Sequence, residues 1–307
     1  RNVRELHAGQ ILTAGPVVYI FNTLFRIPSY LWLYGAETGS AYHQSPLKRM
    51  VALFLIRKYG RLVTNSPTTT NEFVAYGVPR KKIIELLPAV DADNFSPGDG
   101  DRLRRGLGLE GCEILLTVAR IVKRKGHDLV LEAMNLLKNR PNLVYVITGT
   151  GHDRPRLEGI IGEYGLHDRV VFAGVVPDRE LPEYYRMCDV YVMPNREVFD
   201  ETTSIEGFGI SFIEAGACSK PVIAGDSGGA VDAVVDGVTG YVIDPSDAAA
   251  CAGKIACLLD NPDISREMGR NARRRILESF TWDKRAAEFT RHLTVGGITA
   301  SFSDVRR

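Results

Sequence analysis

No run of about eighteen consecutive apolar residues occurs in the 307-residue sequence, so its sequence offers no transmembrane helix. The chain opens RNVRELHAG, without an initiator methionine or a charged-then-apolar leader. No signal peptide is expected. The pattern begins in mid-stride, as in a chain whose first portion is missing. Paired cysteines are lacking too: Cys112, Cys188, Cys218, Cys251 and Cys257 are odd in number, form no CxxC and have no histidine at zinc-ligand spacing. They read as small buried apolar residues of a reducing compartment. Charge of one sign is not in excess, with 38 basic against 37 acidic residues, which argues against nucleic acid as the main partner. There is no P-loop, no internal repeat and no low-complexity tract. Asp91 and Asp93 could spell a metal dyad, but they stand in a Gly/Pro-bearing linker where aspartates are common, so no metal is expected.

What is present is a regular alternation. From Glu113 onward short apolar strands are expected at 114–119, 143–148, 170–172, 190–193, 222–224 and 241–243. Helices are expected between them at 128–137, 154–164, 180–187, 211–217 and 231–235. Strands that are apolar without alternating are buried on both faces. Strand–helix alternation then implies an α/β class with a mostly parallel sheet. The first ninety residues form a second unit, with strand pieces at 17–21, 31–33 and 62–65 and a helix over 47–59. The polar stretch 91–101 is the linker. Helical segments follow Pro262, the last over 282–293. The expected division is 1–94 for the remainder of an N-terminal acceptor-side domain and 95–280 for a donor-binding domain. A helix over 281–293 crosses back, and 294–307 is a polar tail.

In parallel sheets ligands bind beyond the carboxyl ends of the strands. Four loops lie there. Arg120–Gly126 (RIVKRKG) places Arg120 and Lys125 where a diphosphate would sit; a wet loop is the plainer reading. Thr148–Gly151 (TGTG) holds Gly149, either lining a ligand or making a tight turn. Glu206–Ile210 (EGFGI) opens a helix whose first amides, near Gly209 and Ile210, can meet a phosphate oxygen. Glu206 and Glu214 bracket that turn. Ser227–Gly229 (SGG), flanked by Asp226 and Asp232, adds further small residues.

These stretches, with LYGAE and TNSPTTTNEFVAYGVPRKKI earlier, resemble the retaining glycosyltransferases of family 4 (glycosyl transferases group 1) over roughly residues 8–293. The resemblance implies a GT-B fold: two facing Rossmann-like domains, the N-terminal one incomplete here. Carried over by position, it implies a catalytic set of Arg120, Lys125 and Glu206, the first two on the donor diphosphate and Glu206 on the transferred sugar. Glu214 would bind the ribose, Phe208, Gly209 and Ile210 would touch phosphates and sugar, and the Gly174–Val175–Val176 turn would lie near the base. Tyr34, where many members have histidine, and Glu37 would face the sugar or acceptor. The implied chemistry is same-face substitution, with a phosphate oxygen as base and no protein nucleophile.

The polar insertion before Glu206 is similar to that of phosphatidylinositol mannoside mannosyltransferases. It implies GDP-mannose, ahead of UDP-glucose or a UDP-N-acetylglucosamine donor, and a lipid or saccharide acceptor. A non-catalytic nucleotide-sugar-binding relative is the alternative. Lys48, Arg49, Arg57, Lys58 and Arg61 on or beside one helix read either as a solvated face or as contact with an anionic membrane. The expected location is cytoplasmic, with a peripheral place on the inner membrane face. No cofactor beyond the donor is expected, and no oligomeric state is signalled.

Overall fold

The computed structural model describes residues 3–35, 45–198 and 206–294, which form two compact units. The first joins the chain up to Ala89 with the segment from Ser279 on; the second is continuous from Val90 to Glu278.

The first unit is a four-stranded parallel sheet in the order β1 (Leu6–Ala8), β2 (Ser29–Leu33), β3 (Arg61–Thr64), β4 (Ile83–Glu85). Between the strands run α1 (Ala14–Phe25), α2 (Pro46–Lys58) and α3 (Pro67–Ala75). α2 and α3 each start with a serine cap and a proline in the first turn, where a missing N–H costs nothing. One sheet face is covered by a core of Leu31, Leu33, Leu55, Tyr59, Leu62 and Phe73. The other face carries Tyr30, Val63 and Ile84, against which α12 (Trp282–Thr294) lays Phe289 and Leu293. The Phe289 ring stands 5.7 Å from that of Tyr30 and 5.6 Å from that of Trp32.

The strand expected at 17–21 is helical: it is the middle of α1. VVYIF is apolar on every side, so its composition reads alike as a strand or a buried helix. The sheet decides: Ala14, Val18 and Tyr19 pack on the core at helical spacing, while Val17, Ile20, Phe21 and Leu24 remain exposed.

The second unit is a six-stranded parallel sheet in the order β10–β9–β8–β5–β6–β7. Its elements are α4 (Asp101–Gly106), β5 (Glu113–Val118), α5 (His127–Leu136), β6 (Leu143–Thr148), α6 (Arg154–Tyr164), β7 (Val170–Gly174) and α7 (Leu181–Met187). They continue as β8 (Val190–Met193), α8 (Ile210–Ala217), β9 (Val222–Gly225), α9 (Ala230–Ala233), β10 (Gly240–Ile243), α10 (Ala248–Asp260) and α11 (Pro262–Ser279). β6 and β8 are buried along their whole length, as sheets covered on both faces require. The polar stretch 91–101 is pinned rather than slack. Arg273 donates to the carbonyls of Ala92 and Phe95, and Arg186 to those of Asn94 and Ser96. The Asp91 carboxylate caps the amides of Asp93 and Asn94, which is the turn role of that aspartate pair.

Beneath the sheet's carboxyl edge lies a buried polar chain. The Tyr145 hydroxyl bonds Thr117 at 2.7 Å and His127 Nδ1 at 2.9 Å. Burial pushes the His127 imidazole down to about 4, so it is neutral in the folded protein. The unfolded chain protonates this histidine near 6.5, whereas the folded one resists until about 4. Below pH 6.5 the unfolded state therefore binds more protons, and stability falls as pH drops through that window. Urea unfolding at pH 5 is expected to give about 2 kcal/mol less stability than at pH 7 from this group. His127→Gln should shrink that difference; an unchanged pH slope would refute the assignment.

Candidate functional site

The strand order reverses between β5 and β8: β5 leads to β6 and β7 on one side, β8 to β9 and β10 on the other. Such a switch point opens a crevice at the carboxyl edge. The loop after β5 and the loop after β8 meet there. Lys125 Nζ and Arg124 Nη1 each lie 2.5 Å from the same atom, Oε2 of Glu206. Lys125 and Glu206 are buried. Burial opposes ionisation of Glu206, but the Lys125 and Arg124 charges and hydrogen bonds outweigh it and hold the carboxyl below its usual range. For Lys125, burial and then Arg124 press the amine below its usual value while Glu206 draws it back. Arg120, exposed at the end of β5, adds its field to the same lysine.

Glycines let the loops lie main chain on main chain. Gly126, at φ 72°, would place a Cβ 2.1 Å from the Pro194 carbonyl oxygen. Gly149, at φ 106°, would place one 2.1 Å from that of Ala119, and its amide donates to the Gly174 carbonyl at 2.6 Å. Loop packing thus demands Gly149, whatever it also lines. The SGG turn is laid against the EGFG turn: Gly229 N donates to Glu206 O at 2.7 Å. Gly209, at φ 86°, caps α8; Phe208 is buried, Ile210 exposed in its first turn.

Glu214, one helix further in, does not join the cation cluster. Its Oε2 accepts from the Tyr185 hydroxyl at 2.5 Å, and burial raises its carboxyl above the usual range, with that hydrogen bond pulling the other way. Val175 is exposed just beyond β7, beside Gly174 and Val176. Tyr34 stands exposed at the end of β2 in the first unit. Glu37 lies outside the described residues.

Three features escape sequence reasoning. Arg124 joins the cluster, but a basic run does not reveal which cation turns inward. Asn195, fully buried, donates to Ser227 O at 2.9 Å and accepts from Gly225 N, tying the loop after β8 to that after β9. Asp128 accepts from Arg196 at 2.5 Å and from Arg156 at 3.0 Å, and the Arg196 amide donates to Arg124 O. That clamp fixes the cation-bearing loop from behind. Among the described residues no three His, Cys, Asp or Glu gather at metal-binding range.

The described residues thus form a parallel α/β unit whose switch point brings Arg124, Lys125 and Glu206 together close to the start of a helix. The family model described as glycosyl transferases group 1 matches residues 100–275, and the chain belongs to that family. Among curated proteins it is 35% identical over 230 residues to a GDP-mannose-dependent alpha-(1-6)-phosphatidylinositol monomannoside mannosyltransferase of Mycolicibacterium smegmatis, covering 74% of this chain and 60% of the relative. It is 31% identical over 303 residues to a D-inositol 3-phosphate glycosyltransferase of Acidothermus cellulolyticus, covering 94% and 62%. The chain thus spans about three-fifths of the length of these relatives.

Among solved structures, HepE of Anabaena bound to UDP matches with a TM-score of 0.84 at 22% identity, over 95% of this chain and 78% of that one. Sucrose-phosphate synthase of Thermosynechococcus elongatus matches with 0.80 at 26%, over 95% and 74%. The two Rossmann-like units with separate sheets are the GT-B architecture.

The expected preference for GDP-mannose over UDP-glucose is corrected: HepE was solved with UDP-glucose and with UDP and glucose. The described part of the insertion that suggested mannose, through Pro194 and Arg196, contacts the 124–128 loop that carries the cations.

Gly229→Ala tests the loop stacking. The added Cβ would sit 2.2 Å from the Gly207 carbonyl oxygen, a main-chain atom that cannot swing aside. A loss of about 1–3 kcal/mol in urea unfolding is expected. Wild-type stability would show that the two turns are not in register.

Proposed function

We propose that the chain carries the donor site of a retaining hexosyltransferase that moves a hexose from a UDP-sugar to a hydroxyl of a lipid or saccharide acceptor. The observation that carries this reading is the charge balance at the switch point among the described residues: Arg120, Arg124 and Lys125 stand there with Glu206, which bonds two of them. A diphosphate gains negative charge as its bond to the sugar breaks. Fixed cations aimed at it stabilise the transition state more than the ground state. Arg120 and Lys125 would bind the diphosphate. Glu206 would hold the transferred sugar through hydroxyl hydrogen bonds, with Phe208, Gly209 and Ile210 presenting main chain to phosphate and sugar. Glu214 would bind ribose, and the Gly174–Val176 turn would flank the base.

Glu206 is poorly suited to be a nucleophile, because two cations already share its oxygen. That supports same-face substitution, with the acceptor hydroxyl passing its proton to the departing phosphate. The UDP-bound HepE structures support the base, and the family supports the reaction.

Calorimetry with UDP and GDP, and a transfer assay with UDP-glucose, test the reading together. UDP is expected to bind at least about tenfold tighter than GDP. Glu206→Ala is expected to lower transfer by about a hundredfold or more while UDP still binds. Tighter GDP binding would overturn the donor. Transfer unaffected by Glu206→Ala would overturn the site.

The acceptor side of the reading includes contact with an anionic membrane through α2. Its outer face exposes Leu47, Met50 and Phe54, and Pro46, Arg49, Leu53, Arg57 and Lys58 line a groove with the latter two. The helix has no acidic residue, so its charge complements anionic headgroups. Among the described residues no helix is long and apolar enough to cross a membrane. Co-sedimentation with phosphatidylglycerol vesicles is expected, and should fall in 0.5 M salt (roughly a 4 Å screening length) and in Met50→Glu/Phe54→Glu. Equal binding to neutral phosphatidylcholine vesicles would refute it.

A further inference from the structure

The cation cluster holds more than the expected pair. Arg124 was no part of the site read from sequence, yet its side chain is nearly as enclosed as that of Lys125 and bonds the same carboxylate oxygen. One oxygen therefore serves as the acceptor for two cations. An ammonium offers three donors and a guanidinium five, so each cation has donor capacity beyond this shared oxygen. A buried excess of positive charge is costly until an anion arrives.

We infer that Arg124 is a third ligand of the donor diphosphate, and that Glu206 is its internal competitor, occupying the Arg124 and Lys125 donors until phosphate oxygens replace it. The inference rests on the donor reading above and deepens it. Three observations bear on it. First, Arg124 and Lys125 are adjacent in a single 3-10 turn closed by Gly126, so both cations are presented from one short stretch of main chain. Second, that turn is fixed from behind. The Arg124 carbonyl is held by the Arg196 amide, and Arg196 is held by Asp128. The backbone thus stays in place while the guanidinium exchanges partners. Third, guanidinium offers five donors in a fork, so Arg124 can engage a phosphate oxygen as its bond to Glu206 is given up. On exchange, one carboxylate oxygen is released from shared duty and becomes free to accept from a sugar hydroxyl. Binding of the diphosphate would thereby prepare Glu206 for the sugar.

The competitor role predicts an effect on UDP affinity that a plain sugar ligand would not have. UDP lacks the hexose, so a residue that only touches the sugar should not affect its affinity. A residue that competes for the same cations should weaken it. The test is UDP calorimetry on the full chain, with thermal melting to confirm that each variant is folded.

Glu206→Gln is expected to tighten UDP about three- to tenfold, since a neutral amide no longer opposes the phosphates. Arg124→Gln is expected to weaken UDP about tenfold, and Arg124→Lys to restore part of the loss. In the double variant Arg124→Gln/Glu206→Gln, the tightening seen with Glu206→Gln alone should shrink, because the contested cation is gone. Unchanged or weaker UDP binding in a folded Glu206→Gln overturns the competitor role. Wild-type affinity in Arg124→Gln overturns the ligand role, and this change tests it even if Glu206→Gln unfolds. If the wild-type chain binds neither UDP nor GDP, the donor reading itself fails, and this inference with it.

Discussion

Main chain rests on main chain along the carboxyl edge of the six-stranded sheet, and the site depends on it. Four glycines mark the contacts: Gly126 on Pro194, Gly149 on Ala119, Gly225 on Asn195 and Gly229 on Gly207. At each, a Cβ would lie within about 2.2 Å of a carbonyl oxygen, far inside van der Waals contact. Absence of side chains lets loops from β5, β6, β8 and β9 stack into one layer. Asn195 then stitches the layer through its amide, satisfying main-chain groups that would otherwise be buried without partners. Only on such a platform can Lys125 and Glu206, 81 residues apart in sequence, meet at bonding distance.

The electrostatics follow from that closeness. Charges this enclosed are rarely left alone, and the structure offsets them locally. Two clusters stand back to back: cations on Glu206 in front, and Arg196 and Arg156 on Asp128 behind. The rear one is closed, since Asp153 and Asp128 both accept from Arg156. Among the described residues the front one sets two cations on one carboxylate oxygen. Charges held in place from behind are what a site for a charged ligand requires. Glu214 differs from both: its partner is the neutral Tyr185 hydroxyl, and it stays clear of the cations.

Much of the second unit is legible from its amino acids, because short buried strands and capped helices carry their own periodicity. The strands at 143–148 and 190–193 and the helix at 154–164 stand where the pattern places them. The first unit is less legible at 17–21, where an apolar run has no polar face to reveal its period. At the carboxyl edge of the sheet, Arg120, Lys125 and Glu206 could be singled out by position after strands, and Glu214 by the resemblance. Arg124, Asn195 and Tyr185 could not, because their roles arise from which way a side chain turns once distant loops have met. The segment that suggested the base is described only where it touches the cation loop.

The order in which the chain visits its units has a consequence for synthesis. The second unit is continuous from Val90 to Glu278, but the first is finished only by α12. While a ribosome adds the intervening stretch, Tyr30, Val63 and Ile84 await Phe289 and Leu293 with their apolar surface wet. At about 5–20 residues per second this lasts on the order of 10–40 seconds. The earlier of the two units is thus sealed after the later one is made, and for that interval the nascent protein presents a sticky sheet face, a substrate for chaperones.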